Sequence, residues 1–483
     1  MSKSDHDGIT IYSPTVPKIS DQAGVTLAER TANYLAGAGE TDPGGTGCYV
    51  RKDVKELSAH WAGLPFTATE NVYQHVTALE QIVFRDKINC HFPAGVYDVG
   101  DNNFPFRNPL SDSLKDYGGA RVYGDGRKTI FQTTSADGAD VLQVNATQGL
   151  NIDSLKVTAI LTGTSGAGSN GVSITAGGKD LDIVVWADDL PYVDKASYMD
   201  GGKACTIQPA ATTNPIENIR VRVIASNVGY GFGMDISSDA LINNPMKNID
   251  VKLYVNGAYR GVALSGTGAT NTVPSNGLDW GVSLEAFTVN CQQHYLSNRA
   301  WNVRGKIHPI NTISTFPAYL AGDSERFVSS ILGSKNERVE IGGIVQSVDT
   351  LHRIGATTGE TENAQVDLAT DFQTATTQLD IVSSGGNTIK ASEIGVKNLT
   401  AIDFSALLAR GNTLRQNGNI RTRDFRSYNT FEHRTDAGVK TFGLRPDGNI
   451  ESGLTSSSAL GAYVGKKAEY DDGVFLGYRP IYL

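Results

Sequence analysis

The sequence is short of cysteine and of charge. Its four cysteines (Cys48, Cys90, Cys205 and Cys291) lie far apart with no CxxC spacing. That argues against a disulfide framework and fits assembly in a reducing cytosol. Only 19% of residues are charged, so the chain is not a solvated disordered tail. There is no basic surplus either: 42 Lys and Arg stand against 51 Asp and Glu, a formal net charge of −9. Such a balance lacks the footprint that nucleic acid or anionic lipid requires. No run of about 18 apolar residues occurs, so no membrane insertion is expected. The opening stretch MSKSDHDGITIYSPTVP has no apolar h-region, so no export signal is expected. GxSxG, HExxH, P-loop and dinucleotide fingerprints are missing, and the eight histidines show no metal spacing. Neither a cofactor nor a metal is therefore expected.

Glycine, by contrast, is abundant: 53 of 483 residues, against an ordinary level of roughly 7%. A chain that turns often and tightly needs it. The turns belong to a repeat. NPIENIRV starts at residue 214 and NPMKNIDV at residue 244, so N-P-x-x-N-I-x-V recurs after 30 residues. Periods of about 20 to 50 residues indicate stacked supersecondary units. The continuation agrees, with Gly231 opposite Gly261 and Met234 opposite Leu264, and LEAFTVNCQQHYLSN (284–298) gives a looser third copy in which Val289-Asn290 matches Val255-Asn256. Segments 149–157 and 178–186 have the same shape. Alternation at Ile219, Val221 and Val223, and at Ile249, Val251 and Leu253, turns one apolar face inward. No helical pattern separates these strands, which disfavours a βαβ fold. A β-sandwich is the competing all-β arrangement, and direct repetition in register argues against it. The expected fold class is all-β, a parallel β-helix (solenoid) whose coils bury a shared interior.

Residues 69–84 (TENVYQHVTALEQIVF) space Val72, Val76, Leu79 and Val83 as on one helix face, with Thr69 as a candidate N-cap and Glu70 favourable in the first turn. HFPAGVYDVG (91–100) and ARVYGDGRKTIFQTT (120–134) follow. Phe92, Pro93, Gly95 and Tyr97, then Gly124, Gly126 and Thr129 or Ile130, resemble the opening of the pectate-lyase-like right-handed parallel β-helices of bacteriophage tailspike and tail fibre proteins. The match covers about 65 residues directly. The resemblance implies a single-stranded right-handed solenoid behind a capping helix. It also implies a homotrimer, attachment to phage baseplate or tail proteins through the N-terminus, and adsorption to a bacterial surface polysaccharide. Such a protein would sit in the virion tail, assembled in the host cytoplasm and released by lysis. On that basis residues 1–60 are expected to be a virion-attachment segment, 61–415 the capped β-helix, and 416–483 a C-terminal β-rich trimerisation or tip module. The last contains hairpin-like FEHRTDAGVKTFGLRPDGNI at 431–450.

Two functional classes compete: a receptor-binding fibre, and a depolymerase acting as glycosidase or lyase on capsule or O-antigen. A purely structural virion component is a third. Glycoside hydrolysis requires paired carboxylates, and the densest acidic stretch is WADDLPYVDKASYMD (186–200). The candidate catalytic residues are Asp188, Asp189, Asp235 and Glu285. Counting along its strand turns Glu285 inward, where an unpaired carboxylate would be costly. Aromatic faces stack on sugar rings, so Trp186, Tyr192 and Tyr198 are candidate glycan-binding residues, together with His294, Tyr295, Arg299 and Trp301 in QQHYLSNRAWNVR. The same residues fit packing roles. Asp188, Ser226, Asn256 and Asn290 are aligned at equivalent points past a strand, where Asn256 and Asn290 are expected to hydrogen-bond along the axis.

Overall fold

The computed structural model describes residues 56–62, 64, 71–108, 113–163, 168–195, 198–208, 214–237, 246–267, 281–313, 325–355, 361–362 and 364–381, and beyond these the short strands Ser384–Gly385, Asn398–Leu399 and Asn419–Ile420 and the strands named below. The expected attachment segment lies almost wholly outside the described residues.

Parallel pairing in strict succession organises the chain. The strands Glu56–Ser58, Asn89–Phe92, Lys115–Gly124, Thr147–Leu161, Gly178–Asp188, Ile216–Ser237, Met246–Thr267, Val282–Asn298, Arg304–Thr312, Arg338–Ile354 and Gln365–Ile381 each pair with the next. Thr388–Ala391 and Thr413–Gln416 extend the stack. The second halves of the long strands form a further ladder with Lys203–Gln208 and Phe327–Leu332. One turn of chain per layer, each lying on the last, is a parallel β-helix. Ile219 faces Ile249 and Met234 faces Leu264 across adjacent coils, as the repeat predicts. Among the described residues, antiparallel pairing appears past the solenoid's end and in one excursion. Phe431–Arg434, Lys440–Leu444 and Ile450–Ser452 form one small sheet, and Tyr463–Asp471 pairs with Val474–Tyr482. The excursion is Tyr192–Lys195 against Tyr198–Gly201.

Alternation supplies the interior. Ile183, Val221, Val251, Leu284, Val339 and Val366 form one buried column, interrupted by Gly305; Val185, Val223, Leu253, Ala286, Ile307, Ile341 and Leu368 form the next. Each such Val, Leu or Ile side chain contributes roughly 1.5–3 kcal/mol by burial. At the first coils the helix Tyr73–Asp86 covers the open end, burying Val76, Leu79 and Val83. It starts later than Thr69: Val72 is its N-cap, and the Asn71 side chain accepts the Tyr73 N–H at 2.9 Å. Below it lie the motif residues. Phe92 and Tyr97 join Phe131, Phe104 and Phe106 in a cluster of edge-on and stacked rings. Thr129 Oγ1 donates to the Phe92 carbonyl at 2.8 Å, and a Cβ on Gly124 would sit 2.5 Å from Thr129. That contact explains the glycine.

The corners require left-handed backbone, and asparagine supplies it. Asn218 and Asn248 hold φ of 56° and 54°, continuing a column begun by Asp180 at 53°. Asn218 Nδ2 donates to Asp180 at 2.8 Å and Asn248 Nδ2 to Asn218 at 3.0 Å. A second column follows the strand: Asn227 donates to Asp189, and Asn311 donates to Asn290, which donates to Asn256. The axial bonding foreseen for Asn256 and Asn290 is present, but the alignment slips by one. Asn256 faces Val289, and the register column runs Asp188, Ser226, Asn256, Val289. Gly257 occupies the left-handed position at φ 77°, so Asn290 matches Gly257.

Two predictions follow from the corners and the interior. Asn248→Ala should destabilise by about 1–2 kcal/mol, because alanine takes up left-handed backbone at that cost and the bond to Asn218 is lost; Asn248→Gly should cost less. The urea unfolding midpoint checks both. In the interior, Glu337 is fully buried, accepting hydrogen bonds from Tyr295 and from Ser297 (2.9 Å), and burial pushes its pKa up to about 7. The native carboxyl therefore binds a proton that the unfolded chain releases above about pH 4.5, so its ionisation lowers stability as pH rises toward 7. Glu337→Gln should become progressively more stable than the parent across that window, by as much as about 3 kcal/mol at roughly 1.4 kcal/mol per pH unit. Thermal melts at pH 4.5, 6 and 7.5 read the difference, and a constant offset would refute it.

Candidate functional site

The outward residues of the first ladder form four columns along the solenoid. The first runs Asn151, Asp182, Arg220, Asp250, Ser283, Arg304, Arg338, Gln365, and the second Asp153, Val184, Arg222, Lys252, Glu285, Lys306, Glu340, Asp367. The third runs Lys156, Trp186, Ile224, Tyr254, Phe287, His308. The fourth is Asp188, Ser226, Asn256, Val289, Ile310, Ile344. Neighbouring rungs are about 4.8 Å apart. The face is therefore polar along one side and apolar along the other.

Ion pairs tie the polar side together: Arg220 to Asp182 at 3.0 Å, Lys252 to Glu285 at 3.2 Å and Lys306 to Glu340 at 3.5 Å. On the apolar side Tyr254 is 44% exposed, Phe287 38% and Ile344 66%. The Phe287 and His308 rings stack at 4.3 Å with 15° between planes, and the Arg127 guanidinium lies 6.0 Å above Trp186. Among the described residues, five of the six large hydrophobic side chains exposed most strongly (Ile224, Tyr254, Phe287, Ile310 and Ile344) sit on this one face. An apolar stripe rimmed by charge marks an interaction surface. A groove of about 1460 Å³ follows the first column and the adjoining Asn corner, lined among others by Asp182, Arg220, Asp250, Arg304 and Arg338.

The sequence-derived candidates scatter across this geometry. Trp186, Asp188 and Asp189 are adjacent on one strand end. Asp188 is buried at the apolar edge, accepting a hydrogen bond from Ser226 Oγ at 2.6 Å with Lys156 Nζ at 3.3 Å. Asp189 is exposed and engaged by the Asn227 amide. Glu285 faces outward, not inward: Leu284 and Ala286 are the buried neighbours, and Lys252 holds the carboxylate. It lies three rungs from Asp188, roughly 14 Å by strand spacing, so the two do not act as a pair. Asp235 pairs in register with Ser265, and Tyr198 with Lys195; their side chains lie outside the described residues.

Tyr192 belongs elsewhere, packed on the second ladder's outer face against Tyr230, Tyr259 and Ala263. There Arg260 lies 4.8 Å from the Tyr259 ring centre and donates to Gln293 at 2.6 Å, and burial lowers its pKa. His294 and Tyr295 are fully buried, so neither can face a glycan. His294 sits between Thr288 (2.9 Å) and Thr312 (3.0 Å), and burial pushes its pKa down to about 4. Tyr295 serves Glu337. Arg299 takes the left-handed corner at φ 57°, and Trp301 packs against the core beneath Lys335, 5.2 Å from its ring. Among the described residues no group of three or more His, Cys, Asp or Glu could hold a metal ion.

Tyr254, Phe287, His308, Ile310, Ile344 and the first-column arginines were missed as site residues. Their signal was the alternation itself: with Val223 and Leu253 inward, Ile224 and Tyr254 must face out.

No known protein family matches the sequence, and no curated protein resembles it. Solved structures give distant likenesses at 12% identity. The catalytic domain of a GH87 α-1,3-glucanase in complex with nigerose covers 79% of this chain and 70% of its own, with a TM-score of 0.32. The A-modules of two Azotobacter vinelandii mannuronan C-5 epimerases each cover 76% of this chain and 95% and 96% of their own, with TM-scores of 0.25 and 0.27.

Asp188 is bound into the sheet edge, and charge-assisted hydrogen bonds of this kind contribute about 1.5–3 kcal/mol. Asp188→Asn should therefore lower the denaturation midpoint measurably. An unchanged midpoint in this variant would refute the structural role.

Proposed function

We propose that the open face binds an extended bacterial surface polysaccharide, and that the chain is a host-adsorption protein, the spike or fibre of a tailed phage. The observation that carries the binding reading is the ring and aliphatic column Trp186, Ile224, Tyr254, Phe287 and His308, laid along the axis at rung spacing. Flat apolar faces repeated at regular steps suit successive sugar rings of a linear glycan, and the flanking charged columns supply hydrogen-bonding partners for hydroxyls. The phage setting, the homotrimer and attachment through the N-terminal segment rest on the tailspike-like entry motif.

A depolymerase is the second reading. Asp182 and Asp250 lie two rungs apart in the groove on either side of Arg220. Two rungs are about 9.6 Å by strand spacing, near the roughly 6.5–9.5 Å between carboxyl groups of inverting glycosidases. Against it, Asp182 is committed to its ion pair with Arg220. Binding without cleavage is the preferred reading.

Tyr254→Ala and Phe287→Ala should each weaken adsorption to host cells or their isolated polysaccharide roughly tenfold, about 1.4 kcal/mol, with a far smaller effect on the melting temperature than an interior substitution such as Leu253→Ala, since neither ring belongs to the buried core. Unchanged binding in the double variant would dismiss this face as the receptor site. Release of reducing ends from the same polysaccharide, abolished by Asp250→Asn, would favour the depolymerase.

A further inference from the structure

The first outward column changes character along its length. In its early rungs Asp182 and Asp250 bracket Arg220, so positive and negative groups neighbour one another. After Ser283 come Arg304 and Arg338 on directly adjacent coils, followed by Gln365. No carboxylate stands in that part of the column. In the second column Glu285 is engaged by Lys252 and Glu340 by Lys306, and Asp367, one coil beyond Arg338, makes no ion pair with either arginine. Neither guanidinium makes an ion pair among the described residues, and both are exposed and line the groove. Two like charges held one rung apart repel. Asn302 and Asn336, both in left-handed backbone at φ 53° and 52°, stand at the adjoining corner and line the same groove. Among the described residues, this end of the groove therefore gathers two guanidinium forks and amide donors, with no carboxylate in its lining. Planar guanidinium groups recognise carboxylate and phosphate in a two-bonded fashion that ammonium groups do not.

We propose that Arg304 and Arg338 form an anion subsite that reads a carboxylate or phosphate substituent on the bound glycan, so that the polysaccharide taken up by this face is acidic. The inference rests on the adsorption reading above and deepens it. A neutral glycan would leave the two charges facing one another uncompensated; an acidic substituent seated between them removes the repulsion and uses both forks. The apolar column then holds the sugar rings while the arginine pair selects the chain by its charge and fixes where along the groove that charge must fall.

The test uses the full-length protein on an immobilised panel of acidic and neutral bacterial capsular polysaccharides. Every glycan retained should carry uronate or phosphate. The double variant Arg304→Gln/Arg338→Gln should bind these at least tenfold more weakly, with a shallower dependence on salt, and should melt no lower than the parent because a repulsive pair has been removed. Carboxyl reduction of a retained glycan abolishes binding if uronate is the ligand, and dephosphorylation does so if phosphate is. Retention of neutral glycans, or unchanged affinity and salt dependence in the double variant, would overturn the subsite while leaving adsorption standing. Retention of nothing on the panel would overturn both.

Discussion

The structure depends on register. Each coil lies on the one before with residue matched to residue, so Val221 meets Val251 and Ile219 meets Ile249, and a slip of one position would turn every apolar column outward. Hydrogen bonds between parallel strands do not set that register by themselves. The apolar columns do, and the corners enforce them: a left-handed Asn, Asp or Gly recurs where the chain must change direction, and the asparagine amides are bonded to the coil below. Interior and corner specify the same alignment twice.

Coil length is free where register is not. Successive matched residues are 38, 30 and 33 positions apart from Asp182 to Arg220, Asp250 and Ser283, then 21 on to Arg304. The variation is absorbed in connections away from the first ladder, which is why the outward face stays continuous while the loops differ. Polar groups in the interior are affordable under the same rule. Glu337 and His294 are buried, and each has partners from neighbouring segments that the register brings to it.

Much of the fold was legible because stacking writes itself into sequence as repetition. The two N-P-x-x-N-I-x-V copies revealed both period and inward face, and the capping helix and Phe-Pro-x-Gly-x-Tyr entry were visible as local patterns. The third copy was misaligned by one because Gly257 substitutes for asparagine at the corner, so matching letters placed Asn290 against Asn256 when matching backbone places it against Gly257. That slip is also what turned Glu285 inward on paper. The site was harder to see. Composition drew attention to acidic and aromatic clusters close in sequence, whereas the face is assembled from one residue per coil, about thirty positions apart. His294 and Tyr295 show the opposite error, since polar aromatic residues in a tight cluster turned out to be interior partners.

A surface built by translation offers a linear polymer many equivalent seats. A chain lying along the ring column could shift by one coil and still rest on a ring or aliphatic side chain, so such a track would hold its cargo loosely in one dimension, letting it creep lengthwise while remaining attached. The adjacent guanidiniums at Arg304 and Arg338 break that equivalence at a single place. On the proposed reading they would act as a detent: the polymer would glide until its own pattern of charge fell into step, and there the sliding would stop.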